Sequence, residues 1–186
     1  MNVFLDFEAS SLAKRSYPIE VAWVFEDGAS ETHLIRPAPQ WTDWDIEAEV
    51  IHHISREMLQ NEGAPHDVLA RRMVAQLSGH DLFASAPSWD GKWLSALLRA
   101  AGIPRHALRL RDSDEARAEA ARNILAPVVP ADRLHVEITD LLTLVEVSRA
   151  GGQPAHRALP DAQDEQRHWL EVVSEAKAVA QKAARA

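Results

Sequence analysis

The sequence predicts an α/β domain with a mixed central β-sheet. Strand-like apolar runs come first, and helical and strand-like patterns alternate after them. The chain has 186 residues, 46% of them hydrophobic. That is enough for one well-buried core and crowded for two, so residues 1–186 are expected to form one domain.

Each element follows from its local pattern. "NVFLDF" is a short apolar run of β-formers in which Val3, Phe4 and Leu5 read as a buried central strand. "PIEVAWVF" alternates before the turn signal "EDG", and "THLIRP" returns as a third strand, giving a meander. "PHDVLARRMVAQLSG" sets Val68, Leu69, Met73 and Leu77 on one helical face and stops at Gly79. "DLFASA" reads as a buried strand, followed by the helix "SWDGKWLSALLRAAG" with Ser88 as N-cap and Gly102 as its end. "SDEARAEAARNILA" is a helix with an acidic first turn, and "ITDLLTLVEVSRAGG" is another that stops at Gly151 and Gly152. A last helix opens at Asp161 and runs through Ala162, Trp169, Leu170, Val173 and Ala176.

Composition narrows the chemistry. No apolar run approaches the roughly 20 residues of a membrane span, and "MNVFLDFEAS" turns acidic too early for a signal peptide, so a cytoplasmic location with no membrane partner is expected. With no cysteines, any metal must be held by Asp, Glu or His. A net charge of -8 argues against a long electrostatic groove for nucleic acid, though not against a small site gripping one strand end.

Chemistry gathers at three places. Asp6 and Glu8 stand two apart on the first strand and so share a face, where like charges favour protonation or a cation between them. Asp90 follows the mid-chain strand "DLFASA", at the rim where strand ends and helix starts collect in such sheets. His156 and Asp161 straddle Pro160, which tolerates a first helical turn but not a helix interior, so the histidine belongs to a loop over a helix-borne carboxylate.

Together these stretches resemble the DEDDh 3′-to-5′ exonucleases of the ribonuclease H-like superfamily, which include ribonuclease T, oligoribonuclease and polymerase proofreading subunits. "FLDFEASSL" with "YPIEVAWV" looks like the first motif and its following strand, "SAPSWDGKWL" like the second and "HRALPDA" like the third; "AEVIHHIS" resembles the segment after the third strand. The third is the most specific, with His156, Ala158, Asp161 and Ala162 all in place. The second departs from the pattern, since Ala86, followed by Pro87, stands where the family usually carries Asn.

The resemblance implies a ribonuclease H-like fold and two Mg²⁺ or Mn²⁺ ions. Asp6, Glu8 and Asp161 would hold the first ion, with Asp6 bridging to the second and Asp90 acting on it or through water. His156 would be the general base, and Ala9, Ser10 and Leu12 would contact the terminal nucleotide. The expected activity is hydrolysis of short or single-stranded DNA or RNA from a free 3′ end to 5′-mononucleotides, with a protein partner or homodimer supplying binding where the acidic chain does not. The alternative is a catalytically weak module of the same fold that binds nucleic acid or a protein. His52, His53, His66 and His80 read as scattered surface histidines, Trp23, Trp93 and Trp169 as core, and Trp41 and Trp44 as the exposed tryptophans.

Overall fold

The computed structural model describes residues 1–149 and 155–183. β1 (Asn2–Ala9), β2 (Pro18–Phe25) and β3 (Ser30–Arg36) form the expected antiparallel meander. Two short helices follow, α1 (Ile46–His52) and α2 (Arg56–Asn61), then β4 (Ala64–Pro65) and α3 (His66–Leu77). Next come β5 (Asp81–Ala84), α4 (Pro87–Ala100), β6 (Leu110–Asp112) and α5 (Ser113–Leu125). The long helices α6 (Ala131–Arg149) and α7 (Ala158–Ala183) complete the described chain.

The sheet order is β4-β3-β2-β1-β5-β6, with β1 antiparallel to β2 and parallel to β5. β1 is thus central, which is why its apolar run is unbroken before Asp6. Its alternation sorts the two faces. Val3, Leu5 and Phe7 pack with Leu69, Met73, Leu94 and Leu97 of α3 and α4. Phe4 points the other way, against Phe83, Ala116 and Trp169. Asp6 and Glu8 continue that second row toward the carboxyl end of the strand.

Helix α7 lies across this second face. Ala158 and Ala162 pack against Ala22 and Val24 of β2, so the small residues let the helix backbone come close to the sheet. They bring Asp161, between them in sequence, to the rim.

Several expectations shift. Val68 is 57% exposed, so the buried face of α3 is Leu69, Ala70, Met73 and Leu77. Ser88 lies inside α4, whose N-cap is Ala86 with Pro87 in the first turn; proline's fixed φ starts the helix earlier than a serine cap would. α6 begins at Ala131, because Pro130 accepts the first-turn hydrogen bonds of Arg133 and Leu134; its expected stop at Gly151 and Gly152 lies outside the described residues. α7 begins at Ala158, and Asp161 sits within its first turn. Its buried face uses Val172 while Leu170 is exposed. Trp41 stacks on Tyr17 at 5.2 Å and Trp44 donates to Glu49 at 2.7 Å, so both are half-buried; Trp89 is the exposed tryptophan. His52 is buried, its Nδ1 accepting from the Ile54 amide, and is not a surface histidine. No helix among the described residues is long and apolar enough to cross a membrane.

Candidate active site

The rim at the carboxyl ends of β1 and β5 carries a cavity of about 840 Å³ lined by Asp6, Glu8, His156, Asp161 and Glu165, among others. Asp6, Glu8 and Asp161 each offer an oxygen within 4.8 Å of the others. The strand period of two aims the first pair at the same side, and the alanine contacts of α7 deliver the third.

Burial, reinforced by mutual repulsion, disfavours charge here. Burial pushes the Asp6 carboxyl well above its ordinary range, and the neighbouring Asp90, Glu8, Asp161 and Glu165 push it further. Glu8 rises to about 8 through burial and the carboxylates of Asp161 and Glu20, against the pull of Arg157. Asp90, on the first turn of α4, rises to about 7, mainly through burial, although the backbone at Ala86 and Phe7 favours its charged form. Its Oδ2 is buried with no hydrogen-bond partner. A buried orphan carboxylate oxygen beside three converging carboxylates is costly unless protons or cations offset it. Hard oxygen donors with no thiolate or imidazole among them suit Mg²⁺ or Mn²⁺, so the residues present fit such ions.

His156 sits in the loop before α7 with φ of 53°, a left-handed conformation uncommon outside glycine. Two interactions hold that loop. The Ala155 amide donates to Asp161 Oδ1 at 2.8 Å, and Arg157 donates to Glu20 through Nη2 at 2.7 Å and Nε at 3.0 Å. The Ala158 amide adds a third bond to Glu20, at 3.0 Å. The loop is thus clamped on both sides of the histidine, which is exposed and lines the same cavity as the carboxylates.

The loop after β1 is braced as tightly. Ser10 donates to Asp43 Oδ2 at 3.1 Å and accepts from the Tyr17 amide at 3.1 Å, and Ser11 donates to the same Asp43 oxygen at 2.5 Å. The Ser10 amide is bonded to the Tyr17 carbonyl. Ser10 and Ala9 are therefore buried and Ser10 is committed to the fold, whereas Leu12 is 70% exposed. From α4, Lys92 reaches Ala13 O at 2.8 Å and Ser16 Oγ at 2.9 Å, and Trp93 donates to Ser16 at 3.0 Å.

Sequence reasoning missed Glu20, Asp43 and Glu165. Glu20 had a signal, being the one charge inside the apolar run "PIEVAWVF". Glu165 stands one helical turn after Asp161 and is held by Arg117 at 2.9 Å. Asp43 had none, since its role depends on a contact across more than thirty residues.

No family model matches the chain, and no curated protein is significantly similar to it in sequence. Solved structures do resemble it. Exonuclease I from Methylocaldum szegediense superposes with a TM-score of 0.65 at 19% identity, over 94% of this chain and 40% of that one. The fold is ribonuclease H-like. E. coli exonuclease I in complex with a dA16 oligonucleotide gives 0.64 at 15% identity, over 96% of this chain and 42% of that one. A zinc-bound form of the E. coli exonuclease I complex with single-stranded DNA gives 0.60 at 16%, over 97% and 40%. The chain spans about 40% of the length of these exonuclease I structures.

Proposed function

We propose that this chain is a metal-dependent 3′-to-5′ exonuclease of the DEDDh type, acting on single-stranded or short DNA or RNA. The observation that carries the reading is the convergence of Asp6, Glu8 and Asp161 on one 4.8 Å cluster, in a cavity that His156 also lines. The exonuclease I likeness supports it at the level of fold, and the DNA complexes among those structures support a nucleic-acid substrate.

Asp6, Glu8 and Asp161 would hold one divalent ion, with Asp6 shared to a second that Asp90 serves. Such ions lower the pKa of water and offset charge on the leaving oxygen. His156 would accept the proton of the attacking water as its oxygen bonds to phosphorus in line with the departing 3′ oxygen. The bond from phosphorus to that oxygen breaks and the departing oxygen takes a proton from solvent water, leaving a 5′-mononucleotide and a strand shorter by one residue with a new 3′ hydroxyl. Leu12, exposed in the loop after β1, would meet the terminal base, and the clamp of Arg157 on Glu20 would fix the loop that carries His156. The binding partner is a nucleic acid with a free 3′ end.

The test is incubation of 5′-labelled single-stranded DNA and RNA with Mg²⁺, Mn²⁺ or excess EDTA. A descending ladder with either ion, its absence in EDTA and a block by a 3′-terminal phosphate are expected. Full activity in EDTA, or cutting of circular strands, contradicts the reading.

A further inference from the structure

This acidic chain carries a small basic patch packed against α4. The loop between α4 and β6 carries exposed Arg105, His106 and Arg109. Among the described residues neither arginine has an ion-pair partner, whereas Arg72 of α3, Arg117 of α5, Arg149 of α6 and Arg167 of α7 are paired.

These three side chains form one wall of a groove of about 410 Å³ whose other wall is Gly91, Leu94 and Ser95 of α4. No carboxylate lines it. Gly91 directly follows Asp90 on α4, so one lining residue of the groove is the immediate chain neighbour of a site carboxylate. A side chain at Gly91 would meet nothing within 4 Å, so the helix backbone there is open to approach. A larger cavity on the far side of the same loop, about 770 Å³, differs in kind. Asp81, Asp112 and Glu115 line it beside Arg109 and Arg111, and Arg111 is already bound by Glu115 and Glu119.

We infer that the groove between Gly91–Ser95 and the Arg105–Arg109 loop binds the phosphodiester backbone of the strand whose 3′ end occupies the carboxylate site. The inference rests on the exonuclease reading and extends it to a second contact region. Arginine suits phosphate through its forked donors. With no Phe, Tyr or Trp lining the groove, it holds the backbone and not the bases, so binding there is indifferent to sequence.

The experiment compares wild type, Arg105→Ala/Arg109→Ala and Gly91→Glu, with melting temperatures confirming that each is folded. Binding of a fluorescent oligo-deoxythymidine strand is titrated in EDTA over a range of salt concentrations. Loss of two phosphate contacts should make the dependence of log affinity on log salt shallower by about 1.4. Gly91→Glu should also weaken binding. In Mg²⁺, KM for a long strand should rise about tenfold in the arginine variant with kcat unchanged, while a dinucleotide too short to reach the groove is cleaved as by wild type. An unchanged salt slope with normal wild-type binding overturns this inference alone. The same result with lost binding of an oligo-aspartate peptide assigns the groove to an acidic protein partner and also overturns it. A wild type that neither binds nor degrades any strand overturns the exonuclease reading and this inference together.

Discussion

Arg157 and Glu20, 137 positions apart in sequence, are joined by two hydrogen bonds immediately beside His156. Glu20 is 3% exposed and lies opposite Glu8 in the β1–β2 register, so the pair both anchors the histidine loop and sets the charge next to a site carboxylate. Arg157→Ala should destabilise the fold by about 2 kcal/mol, below the cost for a fully buried pair because the arginine is partly exposed. Arg157→Ala/Glu20→Gln should recover part of that loss, since no buried charge is left alone. Urea unfolding of the four proteins measures the coupling, and equal stability of wild type and Arg157→Ala would show that the pair contributes nothing.

The raised carboxyl groups make stability depend on pH with a definite sign. Glu8 and Asp90 have ordinary values of 4.5 and 3.8 and are held at about 8 and about 7 in the folded protein, so between these limits the folded chain binds more protons than the unfolded one. Their contribution is fully present below the unfolded values and is lost as pH rises through 7 to 8. Without divalent ions the melting temperature should fall from pH 5 to pH 8.5. Mn²⁺ should restore it most at high pH, because binding displaces protons. Glu8→Gln should flatten the ion-free profile, and a profile already flat in wild type would contradict the electrostatic account of the site.

His156→Ala separates catalysis from ion binding. A general base is worth about 10² to 10⁴ in rate, so turnover should drop by that factor while Mn²⁺ still raises the melting temperature. Asp6→Asn should lose both. The histidine is exposed, so stability should change little. Loss of Mn²⁺ stabilisation in His156→Ala would make the residue a ligand or a structural element.

Much of this arrangement was legible because it rests on local periodicity. The β1 to β3 meander, β5, α3, α4 and α5 follow from alternation, apolar faces and turn signals, and the strand period alone set Asp6 beside Glu8. The rest depends on contacts distant in sequence. The caps of α1 and α2, Asp45 and Ser55, precede helices of seven and six residues, too short for a periodic signal. β4 and β6 have two and three residues and exist only through pairing with β3 and β5. The braces Asp43 and Glu20 act on loops they do not adjoin, and the early start of α6 is a largely polar turn whose register Pro130 sets.

Gly63 tests the packing between α2 and β3. A Cβ there would lie 2.4 Å from Leu59 O and 2.6 Å from Arg36 N, both backbone atoms that cannot swing away. Gly63→Ala should cost at least the roughly 1–3 kcal/mol typical of overpacking, read as a lowered urea midpoint. Gly91→Ala, in open space, should not destabilise.

The central claim is removal of nucleotides one at a time from the 3′ end by the Asp6, Glu8, Asp90, Asp161 and His156 site. One oligonucleotide carrying distinct isotopes at its 5′ phosphate and at its 3′-terminal linkage tests it directly in Mg²⁺. The 3′ label should leave in the first cleavage as a mononucleotide while the 5′ label passes through a descending ladder, and Asp6→Asn should release neither. Release of the 5′ label first, retention of both labels on internal fragments, or undiminished cleavage by Asp6→Asn would contradict the account.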